Sequence, residues 1–233
     1  MKAFVCHYTK LAERKKYLES KLPALGFTDV EWVTENDILN YNMDDVYDSS
    51  PEALVKRNAT AFARFGTKKQ KPLTRPLIEI TLQHFEAYRR IVDQKLPMAV
   101  VFEDDVLFKK TFSDRFNRYI EELPEDWDIF YFGRGCGGHH APMTISERFS
   151  NLLGKKHVFK NKECRSRFSD SYVITSKAAE MILSQCFPFH MPIDWELNYL
   201  QSSMSMNIYW SEPTITYQGS KSGAYSSSLK APK

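Results

Sequence analysis

With 233 residues, 42% of them apolar and 14% aromatic, the chain is long enough for one domain with a substantial core. A net charge of +3 is too small to argue for nucleic acid as a partner. No secretory h-region opens the sequence and no apolar run approaches the roughly 20 residues of a membrane span; the four scattered cysteines (Cys6, Cys136, Cys164 and Cys186) are therefore expected to be reduced thiols in a cytoplasmic protein.

Residues 2–7 predict a first strand. Residues 11–25 predict a helix with Leu11, Leu18, Leu22 and Leu25 on one face, Thr9 as N-cap and Gly26 as its stop. Residues 30–33 predict a second strand, so the chain opens as β-α-β, the unit that builds a parallel sheet. The loop at 7–14 then lies at the carboxyl edge of the sheet, where open α/β folds bind nucleotides. Tyr8, Thr9 and Arg14 are accordingly candidates for nucleotide contacts.

Residues 36–51 are acidic and turn-rich. Residues 56–75 carry seven basic side chains (Lys56, Arg57, Arg64, Lys68, Lys69, Lys71 and Arg75) and no acid, a composition suited to covering phosphates or an anionic acceptor, or simply to a solvated loop. Residues 74–95 predict the strongest helix. Pro76 sits in its first turn, and Leu77, Ile80, Thr81, His84, Tyr88, Ile91 and Val92 form one stripe. His84 faces inward on that stripe and reads as a hydrogen-bonded core histidine.

Residues 98–106 are the centre of the sequence. An unalternating apolar run, as in a strand buried on both faces, leads straight into Glu103, Asp104 and Asp105. Three adjacent carboxylates beside a dry core repel one another and resist ionisation unless a cation compensates them. A hard divalent ion, Mn²⁺ or Mg²⁺, accompanied by phosphate oxygens is the natural compensation; a solvated acidic turn is the alternative.

A helix at 112–123 and a strand at 127–132 follow. The glycine-rich loop at 133–140 lacks the Gly-Lys-Ser/Thr ending of a phosphate-cradling loop. Cys136, His139, His140 and Cys164 match no common zinc spacing, so no structural zinc is expected. Residues 141–168 read as basic and irregular. A strand at 169–175, a helix at 176–185 capped by Ser176, a helix opening at 192–197 and a strand at 207–210 complete one domain over residues 1–220, with a flexible tail at 221–233. Asp194 and Glu196 fall in the first turn of the penultimate element, where carboxylates also complement the helix dipole.

The order of these pieces resembles glycosyltransferase family 25, which contains lipopolysaccharide-type and collagen-type galactosyltransferases. The resemblance rests on Glu13-Arg14-Lys15 in the first helix, Glu79 to His84, the 100–106 segment, 128–133, 172–177 and Pro192-Ile-Asp-Trp195. It implies a GT-A-type, Rossmann-like αβα sandwich with a mixed, mainly parallel sheet. It also implies an inverting hexosyltransferase using a UDP-sugar donor (galactose or glucose) and Mn²⁺ or Mg²⁺, with a glycan or other hydroxyl as acceptor. By analogy Asp105 and Glu103 would hold the metal, and Glu103 or Asp104 would reach the ribose or a water on the metal. Inverting transfer needs one carboxylate base on the face opposite the leaving group. Asp194, which matches the family's Pro-x-Asp pattern, is preferred to Glu196 for that role. The competing readings are a catalytically silent sugar- or partner-binding module of the same fold and a metal-dependent nucleotidyltransferase or nuclease.

Overall fold

Side chains along a strand alternate between faces, and here both faces are apolar. In β1 (Ala3–His7), Ala3 and Val5 join one buried cluster while Phe4 and Cys6 join another. In β3 (Met98–Glu103), Val100 and Phe102 side with Val5, and Ala99 and Val101 side with Phe4. A computed structural model of the protein, describing residues 1–53, 55, 72–134, 140–163 and 166–226, shows what covers each face. Helices α1 (Ala12–Ala24) and α4 (Phe112–Glu121) pack Leu18, Leu22, Phe112, Phe116 and Tyr119 on the first. Helices α3 (Arg75–Asp93), α6 (Ser176–Leu183) and α7 (Ile193–Ser203) pack Phe85, Tyr88, Ile182 and Leu197 on the second. A one-turn helix, α2 (Met43–Val46), contributes Val46 to the same side. The result is the expected αβα sandwich.

The other strands are β2 (Val30–Thr34), β4 (Val106–Phe108), β5 (Ile129–Tyr131), β6 (Val158–Lys160), β7 (Ser171–Thr175), β8 (Ile208–Ser211) and β9 (Thr216–Gln218). Seven form one mixed sheet in the order β2-β1-β3-β7-β5-β8-β6; β7 and β6 run against the common direction of the other five. The 98–106 run does not continue as one strand. It leaves the main sheet after Glu103, turns through Asp104 and Asp105, and re-enters as β4, which pairs antiparallel with β9 in a separate two-stranded sheet. The acids thus occupy the turn between two sheets, out of the ladder of either.

Several local details differ from the sequence reading. Thr9 does not cap α1: its backbone N–H bonds Glu35, and the N-cap position belongs to Leu11. Gly26 does end the helix, at φ +91°, a conformation costly for side-chain-bearing residues. At α6 the cap is Thr175, whose hydroxyl accepts from the Ala178 N–H, rather than Ser176. The segment read as irregular contains α5 (Ile145–Leu152), opened by a capping box between Thr144 and Glu147, and then β6. Of the tail, residues as far as Ser226 are described, including the short helix α8 (Gly219–Ser222). Most of the basic 56–75 segment, together with Cys136, His139 and Cys164, lies outside the described residues.

Arg90 fastens α3 to edge strand β2. Its guanidinium donates to Glu31 at 2.9 Å, to Asp37 at 2.6 Å and to the buried Glu86 at 2.8 Å. Arg89, half exposed, also serves Glu86. Removing one partner of a buried ionic cluster strands the others, so Arg90→Ala is expected to cost about 3 kcal/mol in urea unfolding, and Arg89→Ala less than about 1 kcal/mol.

Candidate active site

Strand register brings distant residues to the acid turn. The parallel β1–β3 pair sets Cys6 opposite Glu103, so the next residues, His7 and Tyr8, come level with Asp104. The antiparallel β3–β7 pair sets Phe102 opposite Ser171, placing Asp170 beside Glu103, whose N–H it accepts at 3.0 Å. The β4–β9 pair sets Val106 opposite Gln218, so Gly219 and Ser220 follow beside Asp105. Gly219 N–H donates to the Asp105 carbonyl at 2.7 Å and Ser220 N–H to its Oδ2 at 3.2 Å. A Cβ at Gly219 would stand 2.8 Å from that carbonyl oxygen, an approach only glycine permits.

The three acids of the triplet are not equivalent. Asp104 is fully engaged: Arg14 donates to Oδ1 at 2.7 Å, while His7 Nδ1 and the Tyr8 N–H donate to Oδ2 at 2.9 and 3.2 Å. It ties the loop after β1 to the turn and also lines the cavity beside it. Asp105 is buried, with Oδ1 lacking any hydrogen-bond partner, and its pKa is raised, by burial first. Glu103 accepts from the Ser169 hydroxyl and, at 3.4 Å, from Gln218 Nε2. Burial and then the charges of Asp105 and Asp194 push its carboxyl well above the usual range.

Two further carboxyls complete the cluster. Asp194, in the first turn of α7, lines the same cavity; its Oδ1 is buried without a partner and its pKa is raised by burial, against hydrogen bonding from Ser169 and the charge of His84. It is not a cap, because Pro192 holds that position and no side chain caps the helix. Asp170 was not singled out from the sequence. Fully buried, its carboxyl accepts from the Ser171 hydroxyl at 3.0 Å while Oδ1 has no partner, and burial followed by Glu103 drives its pKa strongly upward.

The cavity beside the acid turn measures about 470 Å³ and is walled by Tyr8, Lys10, Arg14, Phe168, Asp194 and Lys221, among others. Lys221 and Lys10 bring positive charge to it; Phe168 holds a left-handed backbone, φ +67°, strained for a bulky residue. The structure therefore gathers Tyr8, Arg14, Glu103, Asp104, Asp105 and Asp194 at one site. It leaves out Thr9, held by Glu35, and Glu196, which is completely buried and accepts the backbone N–H groups of His190 and Met191 at 3.2 Å. His84, beneath the site, is fully buried, bonds the Tyr172 hydroxyl at 2.7 Å, and is held at a pKa of about 4 by burial. A second hollow, of about 930 Å³ between α5 and β6, is lined by charges of both signs, among them the pair Lys156 and Glu147.

Among the described residues, no three His, Cys, Asp or Glu side chains converge to hold a metal by themselves. The unpartnered, buried Asp105 Oδ1 beside Glu103 nonetheless fits the way Mg²⁺ or Mn²⁺ is bound with nucleotides, through one or two carboxylates with phosphate and water completing the shell.

Comparison with known sequences places this arrangement. The profile of "Glycosyltransferase family 25 (LPS biosynthesis protein)" matches residues 1–196. Procollagen galactosyltransferase 2 of Mus musculus is 34% identical over 128 residues, 53% of this chain and 19% of that protein. The inactive glycosyltransferase 25 family member 3 of Mus musculus is 39% identical over 69 residues, 27% of this chain and 11% of that protein. The matches thus cover a minor part of the curated relatives. Mouse xyloside xylosyltransferase 1, in its apo form, superposes on 88% of the chain and 69% of its own at a TM-score of 0.35 and 11% identity.

A carboxyl whose pKa is raised on folding costs stability once the pH exceeds its unfolded value of about 4, and the cost is complete above the folded value. Asp170→Asn, measured in chelator, is therefore expected to raise the melting temperature at pH 7.5, with the gain closing as the pH falls towards 4. A lower melting temperature at pH 7.5 would mean that the Asp170 charge is stabilising.

Proposed function

We propose, because the chain belongs to glycosyltransferase family 25, that it transfers a hexose, galactose or glucose, from a UDP-sugar to a hydroxyl acceptor with inversion at the anomeric carbon. The observation carrying this reading is the convergence of Asp194, Glu103 and Asp105 with Lys10 and Lys221 on one cavity. It supplies a proton acceptor, an anionic corner for a divalent cation, and cations for a diphosphate.

In this mechanism the acceptor hydroxyl oxygen attacks the anomeric carbon while Asp194 takes its proton. The bond from that carbon to the diphosphate oxygen breaks, and the electron pair leaves with UDP. A carboxylate with a raised pKa is the stronger proton acceptor, which suits Asp194 to the task. Lys10 and Lys221 offset the charge that grows on the diphosphate. Mn²⁺ or Mg²⁺, held by Asp105 and Glu103, would add Lewis-acid stabilisation of the same charge. Asp104 binds Arg14 and His7, so its contribution is to fix the loop that carries Tyr8 towards the cavity.

The similarity to an inactive family member favours one rival, a fold that binds nucleotide-sugar without turnover. Release of UDP from UDP-galactose or UDP-glucose in the presence of Mn²⁺ and a glycan acceptor separates the two. Asp194→Asn should keep UDP affinity, with a melting temperature at neutral pH no lower than wild type because a carboxyl of raised pKa is removed, while turnover falls about 10²-fold or more, the scale of a lost general base. Near-normal turnover in that variant would remove Asp194 from the mechanism. Asp105→Asn should make UDP binding, followed by calorimetry, indifferent to Mn²⁺; equal binding by the wild type in excess chelator would defeat the metal assignment.

A further inference from the structure

Helix α5 (Ile145–Leu152) is mounted with its polar side towards the protein and its apolar side outward. Asn151 Nδ2 donates to the carbonyls of Lys156 at 2.9 Å and Glu212 at 2.7 Å. Glu147 caps Thr144 and pairs with Lys156 at 2.7 Å. None of the helix's residues is buried. Ile145, Phe149 and Leu152, spaced i, i+4 and i+7 on one stripe, are 78%, 62% and 81% exposed, and Leu153 just beyond is 68% exposed. Scattered apolar residues on a surface are ordinary, but a contiguous stripe held outward by its own polar anchors marks a contact surface.

The charges around the stripe that have no ion-pair partner among the described residues are basic. Arg148 and Lys155 are exposed and make no side-chain hydrogen bond or ion pair among the described residues. Arg118, half exposed, pairs with Glu122 at 3.4 Å through Nε, while its other end reaches the Gly154 carbonyl at 2.5 Å and so stands at the end of the same helix. The neighbouring acids are occupied: Glu147 as above, and Glu122 by the backbone N–H groups of His157 and Val158 and the His157 ring.

We propose that α5 docks the protein reversibly on an anionic phospholipid surface, with Ile145, Phe149, Leu152 and Leu153 entering the headgroup–acyl boundary and Arg148, Lys155 and Arg118 meeting the lipid phosphates. An apolar helical face flanked by cations is the recognised chemistry of interfacial binding. No helix among the described residues is long and apolar enough to cross a membrane, so the contact is one of lying on the surface. A second copy is a poorer occupant, because a symmetric contact of this patch with itself would bring like cations together. Two helical turns bury little, so both the apolar and the electrostatic signals are required.

The test is co-sedimentation of the full chain with vesicles of phosphatidylcholine alone and of phosphatidylcholine mixed with phosphatidylglycerol. Binding is expected to favour the anionic vesicles by about tenfold or more and to fall in high salt. The double variant Phe149→Ser, Leu152→Ser should lose about tenfold in binding at an unchanged melting temperature, since both side chains are exposed. Arg148→Glu with Lys155→Glu should erase the preference for anionic lipid. Equal sedimentation with both vesicle types, or wild-type binding by the Phe149/Leu152 variant, would overturn the proposal. So would a concentration-dependent dimer, seen in sedimentation velocity and abolished by that variant, without vesicle binding.

Discussion

The parallel pairing of β1 with β3 carries the site. Because Cys6 stands opposite Glu103, the first residues beyond both strands meet, and His7, Tyr8 and Arg14 close on Asp104. A slip of one residue would reverse the faces of β1, moving Phe4 and Cys6 out of one apolar cluster and Ala3 and Val5 out of the other. The apolar core thus enforces a register whose most specific product is polar. The Asp104 clamp then anchors the loop that walls the cavity, so fold and site share one constraint.

Around that clamp the electrostatics divide the acids into two kinds. Asp104 has its cation, Arg14, built in. Glu103, Asp105, Asp170 and Asp194 have been gathered into a poorly solvated space where each raises the pKa of another or is raised by its burial. Such a cluster lowers the stability of the ligand-free protein at neutral pH, and local strain of this kind is what functional sites carry. Ser169 stands between Glu103 and Asp194, hydrogen-bonding to the first and drawing down the pKa of the second. Glu103 and Asp194 are therefore coupled through one hydroxyl-bearing residue.

Much of this was legible in the sequence because its signals were local. The β-α-β opening, the 74–95 stripe and the apolar run ending in acids needed only periodicity and composition, and the family motifs placed Asp194 at the head of α7. What escaped depended on long-range pairing. Asp170 precedes an apolar strand with nothing local to mark it; only the antiparallel β3–β7 register puts it beside Glu103. Lys221 lay in a stretch whose Ser, Gly and Lys content reads as a flexible tail, although β9 carries it back to the acid turn. The Thr144–Glu147 capping box is a local signal, but the basic composition around it masks the short helix that it opens. The spacing of Glu196, two positions from Asp194 and about 200° round a helix, already sets the two apart, and packing turns Glu196 to the backbone of the preceding loop.

The contact of residues 218–226 with the acid turn has a consequence for how the protein folds. Arg14 bonds Asp104 across 90 residues and the Ser226 carbonyl across 212, and Ser220 bonds Asp105 across 115. Closing loops of such length costs entropy that local contacts cannot offset, so these joints form late, after the sheet has brought their ends together. A partly folded chain accordingly lacks the completed cavity. Ligand binding would then draw on the completed domain alone, and its free energy would add to the global unfolding free energy of the molecule rather than to that of any one subdomain.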